Sequence, residues 1–255
     1  MADHGRRLAA CAMPSTVWGR DVAETYDAAS AAMFEPDLLV PTVDLLFELA
    51  RGGPALELAV GTGRVALPLA GRGITVSGIE LSPHMARQLR AKPGGQDLAV
   101  TIGDMTTARV AGDFKLVYLV WNAIMNLTTQ DEQVAVFANA AAHLEPGGCF
   151  VVEVGVPKPP VEGEVARVFT MEEGRVGIDT YDDLVGQILS SHHWVTLEGR
   201  FVRFSAPYRY VWPAELDLMA RVAGMRLKHR WAGWRREPFT SASTNQVAVF
   251  EKPAA

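Results

Sequence analysis

Cysteine is nearly missing from this chain. Its two copies, Cys11 and Cys149, lie far apart and neither joins a CxxC or Cys/His cluster. That excludes a disulfide framework and a structural zinc site, so no metal is expected and a reducing, cytoplasmic setting is. No apolar run approaches the roughly 18 residues of a membrane span. Arg6-Arg7 before Leu8-Ala9-Ala10-Cys11 looks like a lipoprotein cleavage signal, yet the roughly 7 to 15 apolar residues such a signal needs do not precede it, so export is not expected. An excess of positive charge is also lacking: 24 Lys and Arg stand against 29 Asp and Glu, a net charge of -5. Nothing in that balance draws nucleic acid or anionic lipid. Repeats and low-complexity tracts are absent too. What remains is a profile of 49% hydrophobic and 21% charged residues over 255 positions. This is enough chain for one large globular domain, or one with a small addition, taking a small-molecule ligand as a monomer or homodimer.

Spacings of three and four predict a helix over 17–32 (Trp18, Val22, Tyr26, Ala29) and another over 37–51, with Leu38, Leu45, Leu46 and Leu49 inward, before Gly52-Gly53-Pro54 ends it. Short apolar runs then alternate with helical stretches: strands over 55–60, 75–79, 98–102, 116–121 and 149–154, and helices over 64–70, 82–91 and 131–144. A local bend is expected at Pro68. The alternation is that of a parallel sheet covered on both faces. Ala70-Gly71-Arg72-Gly73 and Glu145-Pro146-Gly147-Gly148 should turn the chain just before a strand. Beyond the Pro-rich joint at 155–160, the runs 167–171, 176–180, 186–196 and 199–207 predict an inserted antiparallel lid of three or four strands. A helix over 213–223 and strands over 225–231 and 246–252 close the chain. The expected units are an N-terminal helical cover (1–54), a cofactor-binding α/β domain (55–154 and 208–255) and the β lid (155–207), which holds the substrate and is a possible dimer region.

The chemistry-bearing text is Glu57-Leu58-Ala59-Val60-Gly61-Thr62-Gly63-Arg64, followed by Ile79-Glu80-Leu81-Ser82. A strand ends, a glycine turn admits a ligand to the backbone, a helix begins, and Glu80 stands at the next strand end, placed to accept hydrogen bonds from a ribose diol. The spacing also matches a dinucleotide fingerprint, and charge separates the two readings. A pyrophosphate on the turn would be repelled by a nearby Glu57, whereas an ammonium group would be welcomed. Asp104, after the third strand, is suited to an exocyclic adenine amine, with Met105 against the ring.

These motifs, in this order, resemble those of the class I S-adenosylmethionine-dependent methyltransferases. The likeness covers 55–154 well and the flanking elements more loosely. It implies a Rossmann-like, doubly wound, seven-stranded and mostly parallel sheet with an antiparallel closing hairpin and an inserted antiparallel β lid. In the family's first motif an acid and a Gly-rich turn hold the methionine end of S-adenosyl-L-methionine, positions occupied here by Glu57, Gly61 and Gly63. The second motif, an acid followed by Ser and Met, matches Glu80, Ser82 and Met85, with Leu81 beside the cofactor. Asp104 and Met105 correspond to the adenine site, and Leu144-Glu145-Pro146-Gly147-Gly148 to the stop before the fifth strand. Ala59 departs from the family, which usually has glycine there. The lid and Tyr26-Asp27 look like the subgroup of sugar N-methyltransferases and glycine N-methyltransferase. That likeness implies that Trp18 and Tyr26 fold over the cofactor and that Trp121-Asn122 line the site. Trp18 and Tyr26 equally suit a plain buried helix face, and Asn122 to Asn126 a plain polar loop.

Methyl transfer is an in-line displacement that asks for positioned reactants and, at most, removal of a proton. The candidates for that removal are His192, His193 and Tyr26. His192 and His193 are neighbours in a strand, so no more than one faces the cleft, and both are ordinary lid residues on the alternative reading. His84 and His143 fall on crossover helices as surface or supporting groups. Arg230-Trp231 and Trp234-Arg235-Arg236 read as a solvated loop packed by two tryptophans, or as an anion site. The expected function is methylation of an N or O atom of a small molecule, in secondary metabolism. A nicotinamide-dependent oxidoreductase and a non-methylating S-adenosylmethionine-binding protein or cyclase are the rivals.

Overall fold

The computed structural model describes residues 18–161, 164, 166–197 and 199–254. The leader around Cys11, and Val17 at the expected start of the first helix, lie outside the described residues. Helix α1 (Arg20–Ala29) is shorter than its periodicity implies, because the Ser30 N–H closes on Tyr26 O at 2.9 Å and the chain tightens into a 3-10 turn, Ala31–Phe34. Helix α2 (Pro36–Ala50) starts on a proline, whose missing N–H costs nothing in the first turn, and stops at a left-handed Arg51. Leu45 and Leu46 are buried as expected. Leu38 is not: it is 50% exposed, because its first-turn position faces the cleft beside the sheet rather than the core.

The α/β region runs β1 (Ala55–Leu58), α3 (Ala66–Gly71), β2 (Val76–Glu80), α4 (Pro83–Arg90), β3 (Ala99–Ile102), β4 (Phe114–Leu119), α5 (Gln130–His143) and β5 (Leu144–Gly155). It is closed by α6 (Pro213–Val222), β10 (Arg226–Trp231) and β11 (Asn245–Glu251). The seven strands lie in the order β10-β11-β5-β4-β1-β2-β3, parallel except that β11 runs antiparallel to both neighbours. Central strands read as continuous apolar runs because helices and the cover bury both faces, giving one core layer around Phe137, Phe150 and Phe250 and another around Leu46, Leu69 and Tyr118. Thr129 and Glu132 cap α5 reciprocally: the Glu132 N–H donates to Thr129 Oγ1 at 3.2 Å and the Thr129 N–H to Glu132 Oε2 at 2.9 Å.

Three boundaries differ from the sequence reading. β1 ends at Leu58 because Ala59 turns into the left-handed region. The turn 59–65 takes the residues expected to open α3, and Pro68 falls in the first turn of that helix, where proline is tolerated without a bend. β5 includes Glu145-Pro146-Gly147-Gly148 instead of following it, since the Gly147 N–H donates to Lys252 O at 2.8 Å and Gly148 O accepts from the Lys252 N–H at 3.0 Å.

Between β5 and α6 stands a second, four-stranded antiparallel sheet: β6 (Ala166–Glu172), β7 (Arg175–Asp183), β8 (Ile188–Leu197) and β9 (Arg200–Arg209). A buried polar knot ties its end to the core. The Arg209 guanidinium pairs with Glu215 of α6 at 2.7 Å and hydrogen-bonds Gln133 of α5, while Gln187 and Gln130 both donate to Glu215. The Arg/Trp cluster near the closing hairpin is structural: Arg230 pairs with Asp217 at 2.6 Å, Arg236 with Glu48, and Trp231 and Trp234 pack on the core. Among the described residues no helix is long and apolar enough to cross a membrane.

Candidate active site

The strand order reverses between β1 and β4, the place where a doubly wound sheet opens a crevice at its carboxyl edge. A cavity of about 990 Å³ lies there, floored by the ends of β1 to β4 and roofed by α1 and the lid. Gly61 (φ +57°) and Gly63 (φ +81°) carry the turn after β1. A Cβ on Gly61 would meet Met85 Cε at 3.6 Å and Ala59 O at 4.0 Å, both ordinary contacts, so that backbone is open to a ligand; one on Gly63 would press on Leu67 and Leu89 at 3.0 Å. Gly63 therefore serves packing behind the loop and does not line the cavity. Ala59 sits at φ +55°, a region glycine enters freely and alanine at a cost of about 1 to 2 kcal/mol.

Three acids meet the crevice from β1 and the ends of β2 and β3. Glu80, at the end of β2, accepts the Gly61 N–H on Oε2 and the Ser82 N–H on Oε1, both at 2.8 Å. Each oxygen keeps a further lone pair, the pattern that suits a ribose diol. Burial pushes this carboxyl up, and the backbone N–H groups of Ser82, Gly61 and Leu81 oppose the push. Glu57 is 4% exposed, accepts the Tyr118 hydroxyl at 3.0 Å, and is pushed up to about 8 by burial against the opposing pull of Tyr118 and Arg64. Asp104 follows β3, with Oδ1 occupied by the Thr106 N–H and hydroxyl, each at 2.7 Å. Met105 is buried beside it, its carbonyl held by Asn139 Nδ2 at 2.7 Å.

After β4, Trp121 (φ +55°) and Asn122 (φ +57°) are two successive left-handed residues, a strained pair of the kind that clusters at functional sites. Glu153 of β5 holds them: its Oε2 accepts the Trp121 N–H at 2.9 Å, its carbonyl accepts the Asn122 N–H at 3.2 Å, and Asn122 Oδ1 accepts the Gly155 N–H at 2.7 Å. The Trp121 ring, 43% exposed, faces the cavity 5.3 Å from the Arg64 guanidinium. The expected polar loop is a 3-10 turn, Ala123–Asn126, with Ile124 buried. On the roof, Trp18 and Tyr26 meet edge to face at 5.9 Å. Helix α1 and the turn before it are pinned to the floor: Ser82 donates to Trp18 O at 2.6 Å, Thr62 to Asp27 at 2.6 Å, and Lys92 bridges Asp27 at 2.5 Å and Thr62 O at 2.8 Å.

On β8 the strand alternation sends Leu189, Ser191, His193 and Val195 into the cavity. His192 points the other way, between Thr180 Oγ1 at 3.2 Å and Ser205 Oγ at 2.9 Å, which removes it from the candidates. The cavity thus gathers Trp18, Tyr26, Glu57, Ala59, Gly61, Glu80, Leu81, Met85, Asp104, Met105, Trp121, Asn122 and His193, leaving out Gly63 and His192. Arg64, Asp179 and Ser191 line it without having been foreseen, and Asp27 and Glu153 brace it from outside. In the sequence Asp27 stands out only as half of the Tyr26-Asp27 likeness. His143 is a supporting group, with Nδ1 against Asn139 O at 2.8 Å and Nε2 accepting the Val110 N–H at 3.0 Å.

A family pattern described as a methyltransferase domain matches residues 55–148. The CcbJ methyltransferase from Streptomyces caelestis superimposes with a TM-score of 0.79 and 35% identity, over 94% of this chain and 99% of that one. This chain belongs to the class I S-adenosylmethionine-dependent methyltransferases. The cypemycin N-terminal methyltransferase of a Streptomyces species is 27% identical over 241 residues, 93% of this chain and 98% of that protein. An aminosugar N,N-dimethyltransferase from Streptomyces venezuelae is 31% identical over 121 residues, 47% of this chain and 50% of its own. The methyltransferase uses S-adenosylmethionine and acts on small molecules; neither the nicotinamide reading nor the non-methylating one gains support. Its site suits that cofactor, since an open glycine backbone, a buried acid beside it and a second acid across the ribose position converge on one crevice.

Proposed function

We propose that this methyltransferase transfers the methyl group to an amine nitrogen of a small molecule held between the sheet edge and the lid. The observation that carries the reading is the cavity of about 990 Å³, acidic along the sheet edge and furnished with His193 on the lid. Relatives named as a cypemycin N-terminal methyltransferase and an amino-sugar N,N-dimethyltransferase support the choice of nitrogen. In this reading Glu57 faces the ammonium of the methionine end, Arg64 its carboxylate, Glu80 the ribose diol and Asp104 the adenine amine. Leu81, Met85 and Met105 pack on the nucleoside, Trp121 and Asn122 border the acceptor, and Trp18 and Tyr26 exclude water. The bound cofactor supplies an electrophilic methyl on a sulfonium. The chain itself holds the acceptor nitrogen in line and takes a proton from it, work that rests mainly on positioning.

His193 is the group that takes the proton. Burial, with Arg175 and His192 nearby, holds its imidazole below the ordinary histidine value, so it is neutral and offers a lone pair at pH 7. Tyr26 serves otherwise: burial raises its phenol, which keeps its proton and donates. The reading treats 1–54 as a cover, 55–154 with 208–255 as the cofactor domain, and 155–207 as the acceptor lid. Incubation with methyl-labelled S-adenosylmethionine and paired amines and alcohols of matched skeleton, followed by mass spectrometry, tests it. Label on the amine nitrogen with equimolar S-adenosylhomocysteine is expected; label confined to alcohol oxygens contradicts it.

A further inference from the structure

We infer that Phe169 and Phe204 form an aromatic wall on the lid that selects an acceptor whose amine is carried on an aryl body over one whose amine is carried on a sugar. The choice of nitrogen rests on the function proposed above; the choice of body does not. On β6, Val168 pairs with Ile178 and Thr170 with Gly177, which leaves Phe169 as the extra residue of a β-bulge, a device that re-aims a side chain. The bulge lays the ring over Gly177: a Cβ there would fall 2.3 Å from it, so the ring holds the space a side chain at 177 would fill. Phe169 is 44% exposed and lines the cavity, an apolar surface that folding leaves uncovered.

His193 stands opposite Gly177 on β8, and Phe204 stands opposite His193 on β9. Phe169 meets the imidazole edge to face at 5.2 Å, Phe204 flanks it at 6.0 Å, and Trp18 of the roof lies 6.0 Å from Phe204. The proposed proton acceptor is thus set between two phenyl rings. One step along β8 and β9 the wall continues as Val195 and Val202, which line the cavity as Phe204 does. These side chains can cover an aryl ring, but they offer a sugar's hydroxyls no hydrogen-bond partner, and burying a hydroxyl unpaired is costly. Charge sets the direction of the amine. On β7, Asp179 and Arg175 lie two residues to either side of Gly177, and both line the cavity. Asp179 attracts an ammonium and Arg175 repels it, so the amine points to the Asp179 side. Arg167, opposite Asp179 on β6, donates to Lys158 O at 3.3 Å.

Calorimetric titration of the full-length protein, saturated with S-adenosylhomocysteine, tests the wall with two primary amines, 1-naphthylmethylamine and glucosamine. The aryl amine is expected to bind about 10-fold or more tighter, with the negative heat-capacity change of apolar burial. Phe169→Ala and Phe204→Leu should each weaken it about 3- to 10-fold, while the affinities for glucosamine and S-adenosylhomocysteine stay as in the wild type. Phe169 is exposed, so Phe169→Leu gives a second reading should Phe204→Leu loosen the lid. Glucosamine bound as tightly as the aryl amine, no binding of the aryl amine, or an aryl affinity unmoved by Phe169→Ala and Phe169→Leu alike overturns the inference. Incubation with methyl-labelled cofactor and either 1-naphthylmethylamine or 1-naphthylmethanol separates this from the choice of nitrogen. Tight aryl binding with label on the alcohol oxygen alone upholds the wall and overturns the reading of the acceptor as an amine.

Discussion

The Glu57→Gln variant is expected to melt about 6 to 10 °C above the wild type in the ligand-free state at pH 7, while losing cofactor affinity. Both effects come from the same buried carboxyl. Its folded-state value of about 8 lies far above the ordinary 4.5. Above pH 4.5 the unfolded chain ionises this group while the native one keeps it protonated, so the group costs stability as pH rises from 4.5 toward 8. At about 1.4 kcal/mol per pH unit the cost at pH 7 is about 3 kcal/mol. Glutamine removes that cost and keeps both the volume and the acceptor for the Tyr118 hydroxyl. Melting curves at pH 4.5, where the two variants should coincide, and at pH 7, where they should not, check the linkage. The lost carboxylate would weaken S-adenosylmethionine binding by about 1.5 to 3 kcal/mol. In the wild type the affinity should rise with pH as Glu57 ionises, then fall as the cofactor's own α-amine, near 8, loses its proton. Glu57→Gln should lose the rising limb alone. Equal melting temperatures at pH 7 with an unchanged affinity profile would refute the burial argument.

Glu215→Ala is expected to lower stability by about 3 to 5 kcal/mol, because it leaves the Arg209 guanidinium buried without a counter-charge. Burial alone would raise Glu215, but its hydrogen bonds from Arg209, Gln187 and Gln130 outweigh that and hold it below the ordinary value. Its stabilising share is therefore full above the ordinary carboxylate value and lost as pH falls through the lowered one. Since Arg209 ends β9 and Gln187 precedes β8, the same change should loosen the lid and weaken acceptor binding. An Arg209→Met/Glu215→Leu double variant should recover most of the stability, as apolar replacements of buried pairs do. Urea unfolding of the three proteins measures this. A single variant as stable as the wild type would show that the knot carries no net energy.

Much of the architecture was legible because it rests on local periods. The alternating apolar runs and helical spacings marked every strand of the main sheet, and period-two alternation on β8 predicted that only one of His192 and His193 could face the cleft. Glu80 was legible from its spacing to Gly61, since a βαβ unit fixes where the second strand ends. Other features were hidden because they depend on partners distant in the chain. Whether Ala59 is left-handed depends on how β1 meets the turn, and Leu38 is exposed because the first turn of its helix overhangs the cleft. Asp179 could not be paired with Ser191 without the cross-strand register, which the shift near Asp183 makes unreadable from spacing alone. Arg209 reads as a surface arginine until Gln133 and Glu215, one on each of two core helices, are seen to enclose it.

The central claim is that Glu80 and Asp104 hold S-adenosylmethionine across the ends of β2 and β3, and calorimetric titration tests it most directly. The wild type should bind the cofactor and its demethylated product at one site per chain, and Glu80→Ala and Asp104→Ala should each lose about 1 to 3 kcal/mol, or roughly 5- to 150-fold in affinity. Unchanged affinity in both variants, in proteins that melt as the wild type does, would contradict the account.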